Sequence, residues 1–553
     1  MKKNFLLFST FLALSLSAQV NVLDINPGAP GSGPSIIGTV GSGFWLNATT
    51  ATEGSEPWYT DGTAANTKLL KDINKGTSGS TFTTYYIKVG SNWFFVARDT
   101  TSLKWSLWKS DGTSSGTQRV KDLGFIPVPQ GGGGINPILM VAHKGTLFFS
   151  YEDPTLMGVG KELWKSDGTL AGTVMVKDIN SFQGSDPTGL ISYGDYVYFF
   201  ANDGTVGNEL WRSDGTSANT TLVKDIYSGS ISSYTYAAPA LHVFKGMLYF
   251  GAQGTHDEGI ELYRTDGTSS GTSLFMDINT NTQASSFPAF LNSNANYMIF
   301  RAADGVNGNE PWISDGTVSG TKLLKDIATG SGSSTPYSAS VYGNKFVFSA
   351  NDVTNGTEYW ITDGTSNGTS LLKDINPGAA NAYPSSCVIV NNKIYFTATD
   401  TDHGTEIWYS DGTTQGTQIL KDIVLGTGGS NIFQLFTFNN QLYFNANIGD
   451  GKGSELYTLD PATTTSVLHK VLPDQSLIVF PNPAKSNDII SISGIEDKFI
   501  QSATLLGMDG KIVQSGDVKG NNIQFANQIA AGVYWVQITT ATTNSIVKLI
   551  ISE

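Results

Sequence analysis

An Asp-Gly-Thr triplet begins at Asp61, Asp111, Asp167, Asp214, Asp266, Asp315, Asp363 and Asp411, with gaps of 50, 56, 47, 52, 49, 48 and 48 residues. A period of this kind marks a repeat architecture, whose units bury their apolar surface against one another. The flanks recur with the triplet. Glu209-Leu-Trp-Arg-Ser-Asp-Gly-Thr216 leads into Thr221-Leu-Val-Lys-Asp-Ile226, and close copies surround the other triplets.

Each unit divides into four strand-like pieces. In one copy piece a is Gly189 to Tyr193, b is Tyr196 to Ala201, c is Glu209 to Ser213 and d is Leu222 to Ile226. The runs are short, rich in aromatic and β-branched residues, and bounded by Gly, Asn and Asp turns; no 3.6-residue period interrupts them. About 48 residues suit a four-stranded blade and exceed one ordinary β-helix coil. Adjacent apolar residues, such as Leu210-Trp211, predict strands covered on both faces. The fold expected is all-β, a β-propeller of eight or nine four-stranded blades followed by a small Ig-like β-sandwich.

The ends of the repeat region bear on the blade count. Asn21 to Gly28 copies the end of a repeat without pieces a to c, while Phe433 to Leu459 supplies a, b and c without the triplet. An N-terminal d strand can therefore complete the last blade and close the ring, removing exposed edges. Thr464 to Val471 is a competing d strand, so eight and nine both stay open.

Residues 1–18 have the order of a secretory signal peptide: Lys2-Lys3, an apolar run from Phe5 to Leu16, then Ser17-Ala18. The run is too short to span a bilayer, and no later segment reaches that length. Residues 19–471 form the repeat domain, and a composition shift marks residues 472–553 as a separate C-terminal domain. The single cysteine, Cys387, excludes an internal disulfide framework. A formal net charge of −14 without a basic run argues against nucleic acid as partner.

The repeated Glu, aromatic, Asp-Gly-Thr and Asp-Ile pattern resembles the ELWxxDGT repeat family of exported bacterial proteins over nearly all of residues 40–460. The C-terminal domain resembles the type IX secretion sorting domain. The likeness rests on Phe480-Pro-Asn-Pro483, Leu506-Gly-Met-Asp-Gly-Lys511, Ala531 to Val536 and Val547 to Ile551. Within those segments Pro481, Asn482, Pro483, Gly510, Gly532, Tyr534 and Lys548 mark the sorting signal. The resemblance implies the type IX machinery as a partner, passage through an outer membrane, removal of the tail, and release or surface attachment. It implies no catalytic mechanism.

The triplet itself has a structural explanation. Asp bonds backbone two residues on, Gly tolerates positive φ, and Thr adds a local hydrogen-bonding group. The aromatic row of Trp58, Trp108, Trp164, Trp211, Tyr263, Trp312, Trp360, Trp408 and Tyr457 is expected to be an inter-blade packing layer. Acidic b–c loops are the candidate metal sites. Asp203 with Glu209, Asp304 with Glu310, and Asp352 with Glu358 share an acid-Gly-acid layout whose oxygens suit Ca²⁺. The competing reading is that the glutamate caps a turn or pairs with a lysine. Blade topology puts b–c loops and d–a connections on one face. The longest departures from the repeat lie there: Gly124 to Asn136, Glu152 to Lys161 and Tyr227 to Ala238. Tyr227, Tyr234 and Tyr236 are the stacking candidates.

No catalytic residue is assigned. The five histidines share no repeat position, and no nucleophile motif accompanies a triad. The expected function is an exported or cell-surface propeller that binds an extracellular glycan or protein. The alternatives are a carbohydrate-active enzyme on the same scaffold and a calcium-stiffened structural surface protein.

Overall fold

A computed structural model describes residues 19–28, 30–99, 104–124, 139–234, 241–424, 426–449, 451–459, 469–470, 478–486, 488–493, 500, 502–507, 512–525, 529–539 and 544–552. The expected signal peptide lies outside these residues, as do Tyr236, Gly510 and most of the Gly124 to Asn136 insertion.

The repeats form a nine-bladed β-propeller. Its blades begin at Ser35, Thr81, Met140, Thr188, His242, Ala289, Tyr337, Ser385 and Leu435. Blade 4 shows the pattern: Thr188–Tyr193 (a), Tyr196–Asn202 (b), Asn208–Ser213 (c) and Thr221–Lys224 (d), hydrogen-bonded in that order. The a strands of neighbouring blades lie side by side, which puts a inside the ring and d at its rim.

Both faces of each blade are covered. Val197, Phe199 and Ala201 pack against blade 3, while Tyr198 and Phe200 pack against blade 5. This is strand alternation with no solvated side, and each buried ring contributes roughly 1.5–3 kcal/mol. Trp211 belongs to the layer facing blade 3, as the packing reading of the aromatic row requires. A lysine ties this layer together. Lys177, from strand d of blade 3, lies 5.8 Å from the Trp211 ring centre and donates to the Thr220 carbonyl at 2.8 Å. Lys71 does the same to Trp108 and Thr117, Lys325 to Trp360 and Thr369, and Lys373 to Trp408 and Thr417.

The triplet is the c–d turn. Asp214 Oδ1 accepts from the Thr216 N–H (2.8 Å) and hydroxyl (2.7 Å), and Ser213 Oγ pairs with Thr220 Oγ1 at 2.7 Å. Gly215 has φ +91°, and a Cβ there would lie 2.9 Å from the Phe148 ring of blade 3. Glycine is thus needed both for the turn and for the close approach.

The ring closes through the N-terminal segment. Blade 9 runs Leu435–Phe438, Gln441–Asn447, Ser454–Leu459, then Gln19–Leu23 as its d strand. His469–Lys470 adds outside it, parallel to Gln19–Val20, so it does not compete for that place. Nine is therefore the count. Glu455 Oε2 accepts from the Ile25 N–H (3.0 Å) and from Ser32 Oγ (2.6 Å). Gln434 pairs with both backbone groups of Ile36, at 2.8 and 2.6 Å, joining blades 9 and 1.

The C-terminal unit is an eight-stranded sheet. Its order is Ile478–Phe480, Ile490–Ser493, Asn522–Phe525, Ile512–Lys519, Ser502–Leu506, Gly532–Thr539, Asn544–Ser552 and Ala484–Lys485. One ladder runs through all eight strands, in place of the two separate sheets expected of a sandwich. It continues past Asn544–Ser552 because Ala484–Lys485 pairs in parallel with Ile551–Ser552. Its apolar core includes Ile490, Leu505, Ile523, Val536 and Leu549.

Closure at Glu455 makes a stability prediction. Ser32→Ala should cost about 1–3 kcal/mol, the penalty for a buried carboxylate losing a donor, and Glu455→Ala should cost more. Removing residues 19–34 should lower the denaturant midpoint further still. Equal midpoints for truncated and whole chains would show that the ring is not closed there.

Candidate interaction face

The buried glutamate that opens strand c organises one face of the propeller. Glu310 is fully buried and accepts four hydrogen bonds from the d–a connection of its own blade. The donors are the N–H groups of Ile327 (3.0 Å), Ala328 (3.3 Å) and Ser334 (2.7 Å), and Ser334 Oγ (2.5 Å). Ser80, Ser185, Ser286 and Ser430 donate a hydroxyl to Glu56, Glu162, Glu261 and Glu406 in the same way. The glutamate is a latch that folds the d–a connection back onto strand c. Its serine partner, usually 24 residues downstream, is a regularity that strand patterning alone does not expose.

This geometry supports the turn-capping reading of the glutamates and engages the oxygens proposed for calcium. Glu209 accepts from the N–H groups of Ile226 (2.9 Å) and Ser233 (2.8 Å). Asp203 is occupied within its own loop by Thr205 and Val206, Asp304 by Val306 and Asn307, and Asp352 by Thr354 and Asn355. The intervening glycine has a backbone cause. Gly207 has φ +78°, and its Cβ would stand 2.8 Å from the Ser232 nitrogen, where the b–c loop rests on the d–a connection. Among the described residues no three His, Cys, Asp or Glu side chains are grouped to hold a metal ion.

Blade 2 does without the latch. Its strand c carries Ser106, whose hydroxyl donates to Asp122 Oδ1 at 2.9 Å, and Arg119 contacts Asp122 and Asp99. Blade 7 keeps the glutamate and loses the serine: Ala382 stands where the others have Ser. The Glu358 Oε2 atom is consequently buried without a hydrogen-bond donor among the described residues. Burial pushes the Glu209 and Glu406 carboxyls up to about 7 and Glu358 up to about 8, against the pull of their hydrogen bonds. Asp374 and Asp352 add repulsion at Glu358.

Of the stacking candidates, Tyr234 packs its ring on Phe200, 6.3 Å between centres, and is half-buried in the core between blades 4 and 5. Tyr227 is also half-buried. Exposed large apolar side chains on the same face are instead Ile231 in that connection and Met157 (90 % exposed), Phe182 (85 %), Phe287, Tyr383 and Phe433 in others. Sequence periodicity missed them because they fall between strands.

A cavity of about 610 Å³ opens on the opposite face, lined by a–b and c–d turns of blades 3 and 4. Its ionisable groups are engaged. His143 contacts Ser192 Oγ (2.8 Å) and the Asp195 carbonyl (3.1 Å), Lys144 pairs with Asp195, and Lys165 donates to the Gly215 carbonyl. Asp167 and Asp214 hold their triplet turns.

In the C-terminal unit Asn482 Oδ1 accepts from the Ile550 N–H at 2.9 Å, which ties Pro481-Asn-Pro483 to the last strand. Gly532 opens the neighbouring strand, Lys548 pairs with Trp535 across it, and Tyr534 Oη donates to the Ala530 carbonyl at 2.9 Å. Residues 478–552 match the family described as the secretion system C-terminal sorting domain. These residues are a type IX sorting domain. The chain is therefore an exported propeller protein delivered to the cell surface, with the secretion machinery as its partner. No helix among the described residues is long and apolar enough to cross a membrane.

No curated protein matches the chain in sequence. Two solved structures of puromycin hydrolase align with a TM-score of 0.34 and 15 % identity, covering 68 % and 67 % of this chain and 60 % and 59 % of theirs. A structure from a study of two prolyl endopeptidases aligns with a TM-score of 0.35 and 12 % identity, over 83 % of this chain and 54 % of that one. The chain thus spans less than two thirds of the length of the hydrolases it matches, and likeness at this level bears on neither activity nor substrate.

The gap in blade 7 makes a pH-dependent prediction. The folded Glu358 carboxyl titrates above its ordinary value of 4.5, at about 8. Its stabilising effect is then complete below about 4.5 and is lost as pH rises through about 8. Ala382→Ser supplies the missing hydroxyl and should stabilise the ionised form by roughly 1–3 kcal/mol. The melting temperature should rise more at pH 9 than at pH 5. A pH-independent change would show that Glu358 does not titrate in this range.

Proposed function

We propose that this exported propeller binds an extracellular ligand on the face made by its b–c loops and d–a connections, and does so without turnover. The supporting observation is a division of labour. Polar groups repeated from blade to blade are engaged in holding the connections, while the exposed large apolar side chains at those connections differ from blade to blade. Kinship of the repeats with the ELWxxDGT family of exported bacterial proteins belongs to the same reading. A carbohydrate-active enzyme would need two free carboxylates flanking a scissile bond. The b–c carboxylates already accept hydrogen bonds from their own loops.

The purified propeller should retain ligands saturably on glycan or protein arrays, with no cleavage product on prolonged incubation. Released fragments would replace this reading with the enzymatic one, and an absence of saturable binding would remove it. A chelator should leave the melting temperature unchanged. A fall of several degrees, reversed by Ca²⁺, would favour the calcium-stiffened structural protein instead.

A further inference from the structure

The residue immediately after the latch serine, or its alanine substitute, has unusual properties. In blades 1, 4, 6, 7, 8 and 9 it is Gly33, Asp186, Phe287, Thr335, Tyr383 and Asn431, with φ between +44° and +53°. Only glycine adopts this region freely; β-branched and aromatic residues there are strained. Each of Asp186, Phe287, Thr335, Tyr383 and Asn431 is exposed, although the residues on either side of it are buried. The preceding residue is the latch Ser or Ala382, and the following one is Pro187, Pro288, Pro336, Pro384 or Ile432. The backbone alone would favour glycine at this position, as blade 1 has it. Five blades instead carry a side chain that costs strain, points outward and varies.

We infer that this position is the ligand-reading residue of the blades that expose a side chain there, and that the arc of blades 6 to 9 reads a neutral polysaccharide; in blade 5 the same position, Tyr234, is taken into the core. The inference rests on the binding role proposed above and names its ligand class. Phe287 is 47 % exposed and Tyr383 63 %, and in blade 9 Phe433, two residues beyond Asn431, is 57 % exposed. Ser386 Oγ donates to the Phe433 carbonyl at 2.9 Å, which fixes blade 9's connection against blade 8. Asn381 Nδ2 donates to Tyr383 Oη at 2.9 Å and steadies that ring. Aromatic rings presented singly, with Thr335 and Asn431 between them, match a sugar chain. Its C–H faces stack on rings, and its hydroxyls bond to the amide and hydroxyl groups. An anionic polymer is disfavoured, because no reading position carries a cation and the chain has a net charge of −14. A protein partner would call for a contiguous apolar centre rather than rings separated by polar residues.

The test uses the full chain and a panel of soluble neutral glucans, mannans and xylans in affinity electrophoresis. At least one should retard the protein. Phe287→Gly, Tyr383→Gly and Phe433→Ala should each weaken retardation about tenfold, a typical loss for one aromatic contact. The two glycine variants should melt no lower than the parent, since glycine relieves the positive φ. Leu170→Ala, on the opposite face, should change neither readout. Polysaccharide binding that survives all three arc substitutions would overturn the reading position and leave the binding role standing. Binding to a protein array, abolished by the arc substitutions and absent for every polysaccharide, would overturn the ligand class. No retention of either kind would overturn the binding role itself. Lowered melting temperatures in both glycine variants would show that these side chains serve packing instead.

Discussion

The hydrogen bonds accepted by the buried glutamate of strand c are the interaction on which the rest of the propeller depends. A d–a connection must cross from the rim of one blade to the inside of the next, and irregular backbone there leaves N–H groups pointing into the protein. Each would cost about 1–3 kcal/mol if buried unpaired. One carboxylate answers several of them at once. Glu310 takes three N–H groups and a hydroxyl, so the connection has one low-energy path. The same bond set closes the ring. Glu455 reaches Ser32 and Ile25, more than 420 residues away in the chain, using the chemistry every other latch uses within one repeat. Closure thus needs no special device, only a repeat divided between the two ends.

Between blades the organising contact is different in kind. Lys177, Lys325 and Lys373 hold Nζ over the tryptophan ring of the next blade and donate to a threonine carbonyl of its c–d turn. The charge is satisfied by a carbonyl dipole and a ring face, so no acidic partner is required. Blades 1, 3, 6 and 7 are thus held by two separate systems. The glutamate fixes a blade's connection on one face, and the lysine fixes neighbouring blades to each other near the other. Blade 2, with Ser106 in place of the glutamate, shows that one latch can be replaced when Asp122 takes the hydroxyl instead.

Much of this was legible in the sequence, and the illegible part has a physical cause. Period, strand order and the Asp-Gly-Thr turn follow from local chemistry, because Asp214 and Thr216 bond to each other across two residues. The closing role of Asn21 to Gly28 was visible because it is a fragment of a pattern. The latch was hidden, since Glu209 lies in strand c and Ser233 in the d–a connection 24 residues on, and no strand or helix period links them. In sequence alone the acid-Gly-acid loop fits both a calcium site and a glutamate that caps a turn. Gly207 makes room for the d–a backbone, and Asp203 holds its own turn. Tyr234 lies in an insertion that points to a surface role, but Phe200 gives its ring a place in the core.

The same logic separates scaffold from specificity. A buried latch serine or Ala382 before it and a buried proline or Ile432 after it restrict the backbone of the residue between them and leave its side chain exposed. Such a position tolerates variation because its side chain is exposed, and it presents that variation from a similar backbone conformation on blades 4 and 6 to 9. Phe287, Thr335, Tyr383 and Asn431 differ in size and polarity at nearly the same φ, from +44° to +53°. If backbone preference alone governed the site, glycine would have filled it throughout, as at Gly33. The cost of keeping a side chain there is local and small beside the burial of two blade faces. A scaffold over-determined by the glutamate and lysine contacts can carry that strain at several blades without losing the fold.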